Sequence, residues 1–306
     1  MVTGLKIRIQ FRTMPVFLCI PYFGKFPNYF QLYLDSLAVN KDILRVLFFT
    51  DIDVAGYVVP ENARFVKMTK AELQAKIARM IRELFNKEVE PEKLITTAYK
   101  LVDFKVSYPY LFRDILTKEG ASERDFVGWG DCDLIYGKLS NLLDFSQGYD
   151  IIGGLWGHFT AVKNTPPFQL FFTTVPGLLN LMLDNSRAFI TDEIACREPL
   201  ITFLNSNNYK MFPMHIHCCD IVPPLFYHMF RNDHTRRLKN FFDNVHSEKN
   251  IHHLFRRPSG VLTVVYDDGF SREVTYVHMQ KRAMNLPFSS YPLGYFLFEH
   301  EFKAAT

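Results

Sequence analysis

The 306-residue sequence is poor in cysteine: it has five (Cys19, Cys132, Cys196, Cys218 and Cys219), and no two form a CxxC pair. An odd, scattered set argues against a disulfide framework or a zinc ribbon, and it predicts reduced thiols in a cytoplasmic compartment, bacterial or host. Long apolar runs are also missing. The run Val16–Ile20 is too short to span a bilayer and is stopped by Pro21, so neither a secretory signal nor a transmembrane segment is expected. The formal net charge is only +3. That is too little to imply a nucleic-acid partner, though it suits a local basic pocket for a small anion. Internal repeats and low-complexity stretches are absent as well.

Apolar and aromatic residues are what the chain has in abundance. Hydrophobic residues make up 48% and charged residues 22%, a balance that fits a globular protein with a large core and argues against disorder. The 30 Phe and 15 Tyr exceed ordinary usage and suit a cleft that stacks on flat rings. The length fits one α/β domain over residues 14–306 with additions at its C-terminal end. Residues 1–13 read as an N-terminal extension, with Met14 as an alternative start.

Val16–Ile20 is a buried strand entering a loop at Pro21 and Gly24. Apolar spacing at Phe30, Leu34 and Leu37 predicts a helix over 28–40. Arg45–Thr50 is a second buried strand ending in Asp51 and Asp53, and residues 63–66 are a short third. Thr69 with Glu72 forms a capping box for a helix over Lys70–Phe85. Thr97–Lys118 reads as helical. A strand over 125–129 then runs into Gly130-Asp131-Cys132-Asp133. Further strands are expected at 149–153 and 159–162, and helices near 166–185 and 192–206. In the tail, residues 261–266, the turn Asp267-Asp268-Gly269 and residues 272–277 predict a hairpin. Alternating strands and helices in the first half predict a Rossmann-like, mostly parallel sheet with helices on both faces. In such sheets ligands lie at the carboxyl ends of the strands, which brings residues 21–25, 51–53 and 131–133 to one edge.

Trp129-Gly130-Asp131-Cys132-Asp133 carries the strongest chemical signal. Two carboxylates one residue apart, just past a buried strand, can both approach one hard cation, and Mn²⁺ or Mg²⁺ prefers such oxygen ligands shared with phosphates. The bland alternative is a solvated acidic turn. His278 could complete the metal shell from the C-terminal side, with Lys281 and Arg282 on phosphate oxygens; otherwise it is a surface histidine beside a basic turn. Lys100 and Asp103 share a helix face, either toward a ligand or as a surface ion pair. Asp192 and Glu193 could hold a general base, or simply favour a helix start. The glycine-rich stretch 153–158 lacks phosphate-loop spacing; Trp156 is a candidate sugar platform there. Residues 231–257, basic and histidine-rich, read as a solvated, partly helical face; the alternatives are a peripheral contact to an anionic membrane or a zinc site, for which the histidines lack paired cysteines at ligand spacing.

Six short blocks occur in order: Ile20–Pro27, Phe49-Thr50-Asp51, Tyr99–Lys105, Gly130–Asp133, Gly157-His158-Phe159-Thr160 and His278–Arg282. Together they resemble an uncharacterised family of polysaccharide-biosynthesis glycosyltransferases found in bacteria and large DNA viruses, with a fold of the GT-A type. The resemblance implies Asp131, Asp133 and His278 as the metal ligands. Pro21, Tyr22, Asp51, Lys100, Asp103, Lys105, Asp131, Lys281 and Arg282 would meet the donor, a UDP- or GDP-sugar. Trp156 and His158 would meet the glycan acceptor, and Asp192 or Glu193 would be the catalytic base, although Ile194 stands where the family pattern has an aromatic. Residues 14–135 would then form the donor half, and 136–306 the acceptor half with a β-hairpin and helical extension.

The expected activity is metal-dependent transfer of a sugar to a glycan hydroxyl, inverting if a base is used. Two other classes compete. A nucleotidyltransferase would show a glycine-rich basic loop after the first strand, where only Gly24 and Lys25 stand. A silent carbohydrate-binding module would not need both Asp131 and Asp133.

Overall fold

The computed structural model describes residues 14–153, 157–221, 227–228, 249–287, 291 and 294–305. The expected extension, residues 1–13, lies outside them.

Strand β1 (Val16–Pro21) is buried along its whole length because the sheet it belongs to is covered on both faces. Val16, Leu18 and Ile20 enter one hydrophobic core, while Phe17 and Cys19 enter the other. This is the period-two alternation of a strand with no solvent face. Beside it run β2 (Leu44–Thr50), β3 (Ala63–Lys67) and β4 (Phe126–Gly130), all parallel, in the order β3-β2-β1-β4. Beyond β5 (Leu134–Tyr136), the chain adds β6 (Ile151–Gly153), β7 (Phe159–Lys163) and β8 (Met211–Phe212), and the sheet continues β4-β7-β6-β8 with β7 antiparallel to both neighbours. Gly128 is required where β4 meets β7: a Cβ there would stand 1.9 Å from the Thr160 carbonyl oxygen.

Helix α1 (Phe30–Ala38) packs Phe30, Leu34 and Leu37 into the core, the spacing read from the sequence. Helix α2 (Lys70–Phe85) starts at the expected capping box: Thr69 Oγ1 accepts from the Glu72 amide at 3.2 Å, and Glu72 accepts from the Thr69 amide at 2.7 Å. It stops at Asn86, which adopts φ 49° as a left-handed cap.

Other expectations need correcting. The helix expected over 97–118 is a ten-residue 3₁₀ segment, Ala98–Ser107, followed by short α segments at Tyr108–Leu111 and Arg113–Lys118. A three-residue repeat eclipses positions three apart, which brings Lys100 and Asp103 together, and Pro109 lacks the amide a continuous α-helix needs. The 166–185 helix is broken into Pro166–Gln169, a 3₁₀ turn at Phe171–Thr174 and Leu178–Leu183, with Gly177 at φ 73° between the last two. The 192–206 helix begins only at Arg197, because Ile190 takes φ 49° and residues 191–196 form turns.

The C-terminal part is an antiparallel sheet rather than a hairpin with helices. It is built from β10 (Tyr227–His228), β11 (Lys249–Arg256), β12 (Leu262–Tyr266), β13 (Ser271–Glu273), β15 (Tyr295–Leu297) and β16 (Phe302–Ala304). The hairpin of β12 and β13 exists, with Gly269 at φ 81°, but it ends at Glu273. The next stretch, β14 (Tyr276–His278), leaves it to lie between β5 and β9 (Cys219–Asp220) in a separate three-stranded sheet. Residues 249–256 of the basic segment are strand, not a helical face; residues 231–248 lie outside the described residues. Among the described residues no helix is long and apolar enough to cross a membrane.

Candidate functional site

The carboxyl ends of β1 and β4 open into a cavity of ≈ 250 Å³, where a doubly wound sheet places its ligands. Pro21 and Tyr22 come from β1 and its loop, Gly130, Asp131 and Asp133 from the end of β4, and Tyr99 and Lys105 from the 3₁₀ segment. Lys281, from the loop after β14, closes the wall.

Asp131 is partly exposed and accepts a 2.7 Å hydrogen bond from Lys105 Nζ, which also donates to the Gly157 carbonyl at 2.9 Å. Burial works against the Lys105 charge, but Asp131 and Asp192 outweigh it and raise the ammonium pKa, so a buried cation stands in the cavity wall. Asp133 is 2% exposed. Its Oδ2 accepts from the Lys281 amide at 2.8 Å, and His278 Nε2 lies 3.6 Å from the same oxygen. Its Oδ1 is buried with no hydrogen-bond partner. Burial pushes the Asp133 carboxyl up, yet His278, Lys281 and Lys105 together hold it down at about 2. Conversely, burial lowers His278, but Asp133 and Asp220 raise it to about 10.

The loop that makes these contacts is strained. Gln280 and Lys281 adopt φ 55° and 54°, left-handed values in succession at residues that are not glycine. Such strain persists where the surroundings over-determine the backbone, and here the Met279 amide bonds to the Asp133 carbonyl at 2.9 Å while the Lys281 amide bonds to its carboxylate.

Side-chain oxygens of Asp131 and Asp133 and a ring nitrogen of His278 lie within 4.8 Å of one another. Two carboxylates and an imidazole suit a divalent ion such as Mn²⁺ or Mg²⁺, and the orphaned Asp133 Oδ1 is an acceptor awaiting a positive partner, so the donor set fits a cation. His158, Asp220 and His278 form a second close cluster. The His158 ring stacks on His278 with centroids 4.5 Å apart, and its Nδ1 is 2.7 Å from the Tyr276 hydroxyl.

Asp192 and Glu193 diverge. Glu193 accepts from the Gly157 amide at 2.9 Å. Asp192 is buried and its Oδ2 has no hydrogen-bond partner. Burial pushes the Asp192 carboxyl up to about 7; Lys105 pulls it down, while Glu193 and Asp131 push with burial. Gly157 lets the Asp192 carboxylate approach the backbone, since a Cβ there would stand 2.5 Å from Asp192 Oδ2 and push that side chain aside.

Neither Asp192 nor Glu193 lines the cavity: Asp192 instead borders a small apolar pocket with Trp129 and Cys196, and several other expected residues also stand apart from the cavity. Lys100 and Asp103 are buried and paired at 2.7 Å; Lys100 also donates to the Leu181 carbonyl, and Asp103 accepts from the Phe189 amide, so the pair fastens the 181–189 segment. Asp51 is exposed at the end of β2, away from the cavity lining. Arg282 is largely buried and donates to the Glu299 carbonyl. His158 lies beneath His278 rather than at the opening. Trp156 lies outside the described residues.

Sequence reasoning missed Asp220, Gln280 and Tyr99. Asp220 sits on a two-residue strand, too short to give a periodic signal, and its partner His278 is 58 residues away. Tyr99 stood in a noticed block, but its 52% exposure at the cavity was not legible there. All five cysteines are buried, and no disulfide joins any of them among the described residues. No curated protein and no solved structure matches the chain. The sequence profile of a family of unknown function (DUF6625) matches residues 18–304, and the chain belongs to that family.

Proposed function

We propose that this protein is a metal-dependent glycosyltransferase of GT-A type, moving a sugar from a nucleoside-diphosphate donor to a glycan hydroxyl. The observation that carries the reading is the buried, unpartnered Asp133 Oδ1 beside Asp131 and His278, at the carboxyl end of the central parallel strands. The order β3-β2-β1-β4 supports a nucleotide-binding half of Rossmann type. Held by Asp131, Asp133 and His278, a divalent cation would neutralise charge on the departing diphosphate.

The chain's own groups would do the rest. Lys281 and Lys105 flank the acidic pair, and Lys281 is placed to add a cation against phosphate oxygens. Half-exposed Tyr99, with Lys281 Nζ 5.6 Å from its ring centroid, offers a face for a base or sugar. Asp192 suits a base better than Glu193: its free oxygen and raised pKa leave it able to take a proton near neutral pH, whereas Glu193 is committed to the Gly157 amide. The test is a panel of nucleotide sugars incubated with Mn²⁺ or Mg²⁺, with and without chelator. Metal-dependent release of a nucleoside diphosphate from one donor is expected. No metal-dependent turnover or binding of any donor would sink the reading.

A further inference from the structure

The small three-stranded sheet places one histidine between two carboxylates. His278, on β14, pairs with Leu134 of β5 on one side, the residue that follows Asp133. On the other side it pairs with Asp220 of β9. The ring therefore reaches in both directions: Nε2 stands 3.6 Å from Asp133 Oδ2, and Nδ1 stands 2.9 Å from Asp220 Oδ1. The same Asp220 oxygen accepts from Gln280 Nε2 at 2.7 Å, and Asp220 is 5% exposed. One carboxylate oxygen thus receives two donors, a braced acceptor whose orientation is fixed before any ligand arrives.

We propose that Asp220 is the positioning residue of the metal site: it takes the Nδ1 proton of His278, so that Nε2 presents its lone pair toward Asp131 and Asp133. A metal-ligating histidine needs its other nitrogen tied to an acceptor, because that bond selects the tautomer, fixes the ring plane and raises the basicity of the ligating nitrogen. Gln280 holds Asp220 in turn. The left-handed backbone at Gln280 and Lys281 follows from this double duty, since within two residues the chain sends the Gln280 side chain to Asp220 and the Lys281 amide to Asp133. Asp220 Oδ1, engaged by His278 and Gln280, serves here as the brace of the ring rather than as a ligand atom.

The inference rests on the metal reading above, and the two can fail separately. Mn²⁺ binding, followed by electron paramagnetic resonance, should be compared in wild type, Asp220→Asn, Asp220→Ala and Gln280→Ala. Removing a partner of this kind costs roughly 10- to 100-fold in metal affinity. That loss is expected for Asp220→Ala, with a smaller one for Asp220→Asn, which keeps an acceptor oxygen and the side-chain volume. Nitrogen-15 NMR of the Mg²⁺-loaded protein should show His278 protonated at Nδ1 in wild type and not held so in Asp220→Ala. A ring protonated at Nε2 alone, or unchanged Mn²⁺ affinity in folded Asp220→Ala and Asp220→Asn, would overturn the inference and leave the metal reading standing. A loss far beyond 100-fold in Asp220→Asn would make Asp220 a ligand and also overturn it. Wild-type protein that binds no Mn²⁺ would remove both.

Discussion

The Lys281 amide donates to Asp133 Oδ2 at 2.8 Å across 148 residues of sequence, so the loop after β14 and the end of β4 are locked to one another. That bond occupies one oxygen of Asp133 and leaves the other, Oδ1, without a partner. The division decides how the site should be tested. Asp133→Ala would leave the His278 charge buried with half its compensation, and breaking a buried pair from one side costs about 3–5 kcal/mol. Asp133→Asn keeps the acceptor for Lys281 and is the cleaner variant. Like Asp133→Ala it removes the charge that faces His278, so it should lower the melting temperature, though by less than Asp133→Ala, while losing at least about tenfold in Mn²⁺ affinity, given what charge-assisted contacts contribute. Calorimetric titration with Mn²⁺ checks this, and wild-type affinity in that variant would remove Asp133 as a ligand.

Asp192 gives a pH prediction. If it is the base, the rate at saturating donor should rise with pH through about 7, where its carboxyl titrates. In Asp192→Asn that limb should vanish together with most of the activity, by about 10²–10⁴-fold. Stability moves the other way. The folded group keeps its proton up to about 7, whereas an unfolded aspartate loses it near about 3.9. The folded state then binds more protons between those values, and stability falls as pH rises across that window. Denaturant unfolding at intervals from pH 4 to pH 8 should show the decline in wild type and a shallower one in Asp192→Asn.

Tyr99 separates binding from chemistry. Stacking a base on an aromatic face is worth about 1–3 kcal/mol. Tyr99→Ala should therefore raise the donor KM roughly tenfold or more with kcat within a few fold, and Tyr99→Phe should restore the wild-type value. Equal loss in both variants would shift the contribution from the ring to the hydroxyl.

Lys100 and Asp103 should act on stability. Each single change, Lys100→Met or Asp103→Leu, leaves an uncompensated buried charge and should cost about 3–5 kcal/mol. The double variant should cost less than the sum, because neither charge is then stranded. Urea unfolding of the four proteins measures the coupling. Strict additivity would show that the pair does not act as a unit.

The amino-acid sequence by itself determined the elements whose signal is local. The unbroken apolar run Val16–Ile20 marks a strand covered on both faces, and the Thr69 and Glu72 side chains cap a helix from within one turn. Asp131 and Asp133 were legible because two carboxylates beside a buried strand are separated by a single residue. Tertiary structure decided what depends on distant partners. The 3₁₀ course of residues 98–107 reflects the burial of Lys100 against Asp103 and the 181–189 segment, which no local propensity encodes. It also turned Lys100 and Asp103 from ligand candidates into a structural brace. The predicted hairpin strand divided after Glu273 because Tyr276–His278 found better partners in β5 and β9, from positions 134–136 and 219–220. That division set His278 between Asp133 and Asp220. The sequence supplied the histidine and both carboxylates, but only strand pairing across the chain could bring them onto one ring.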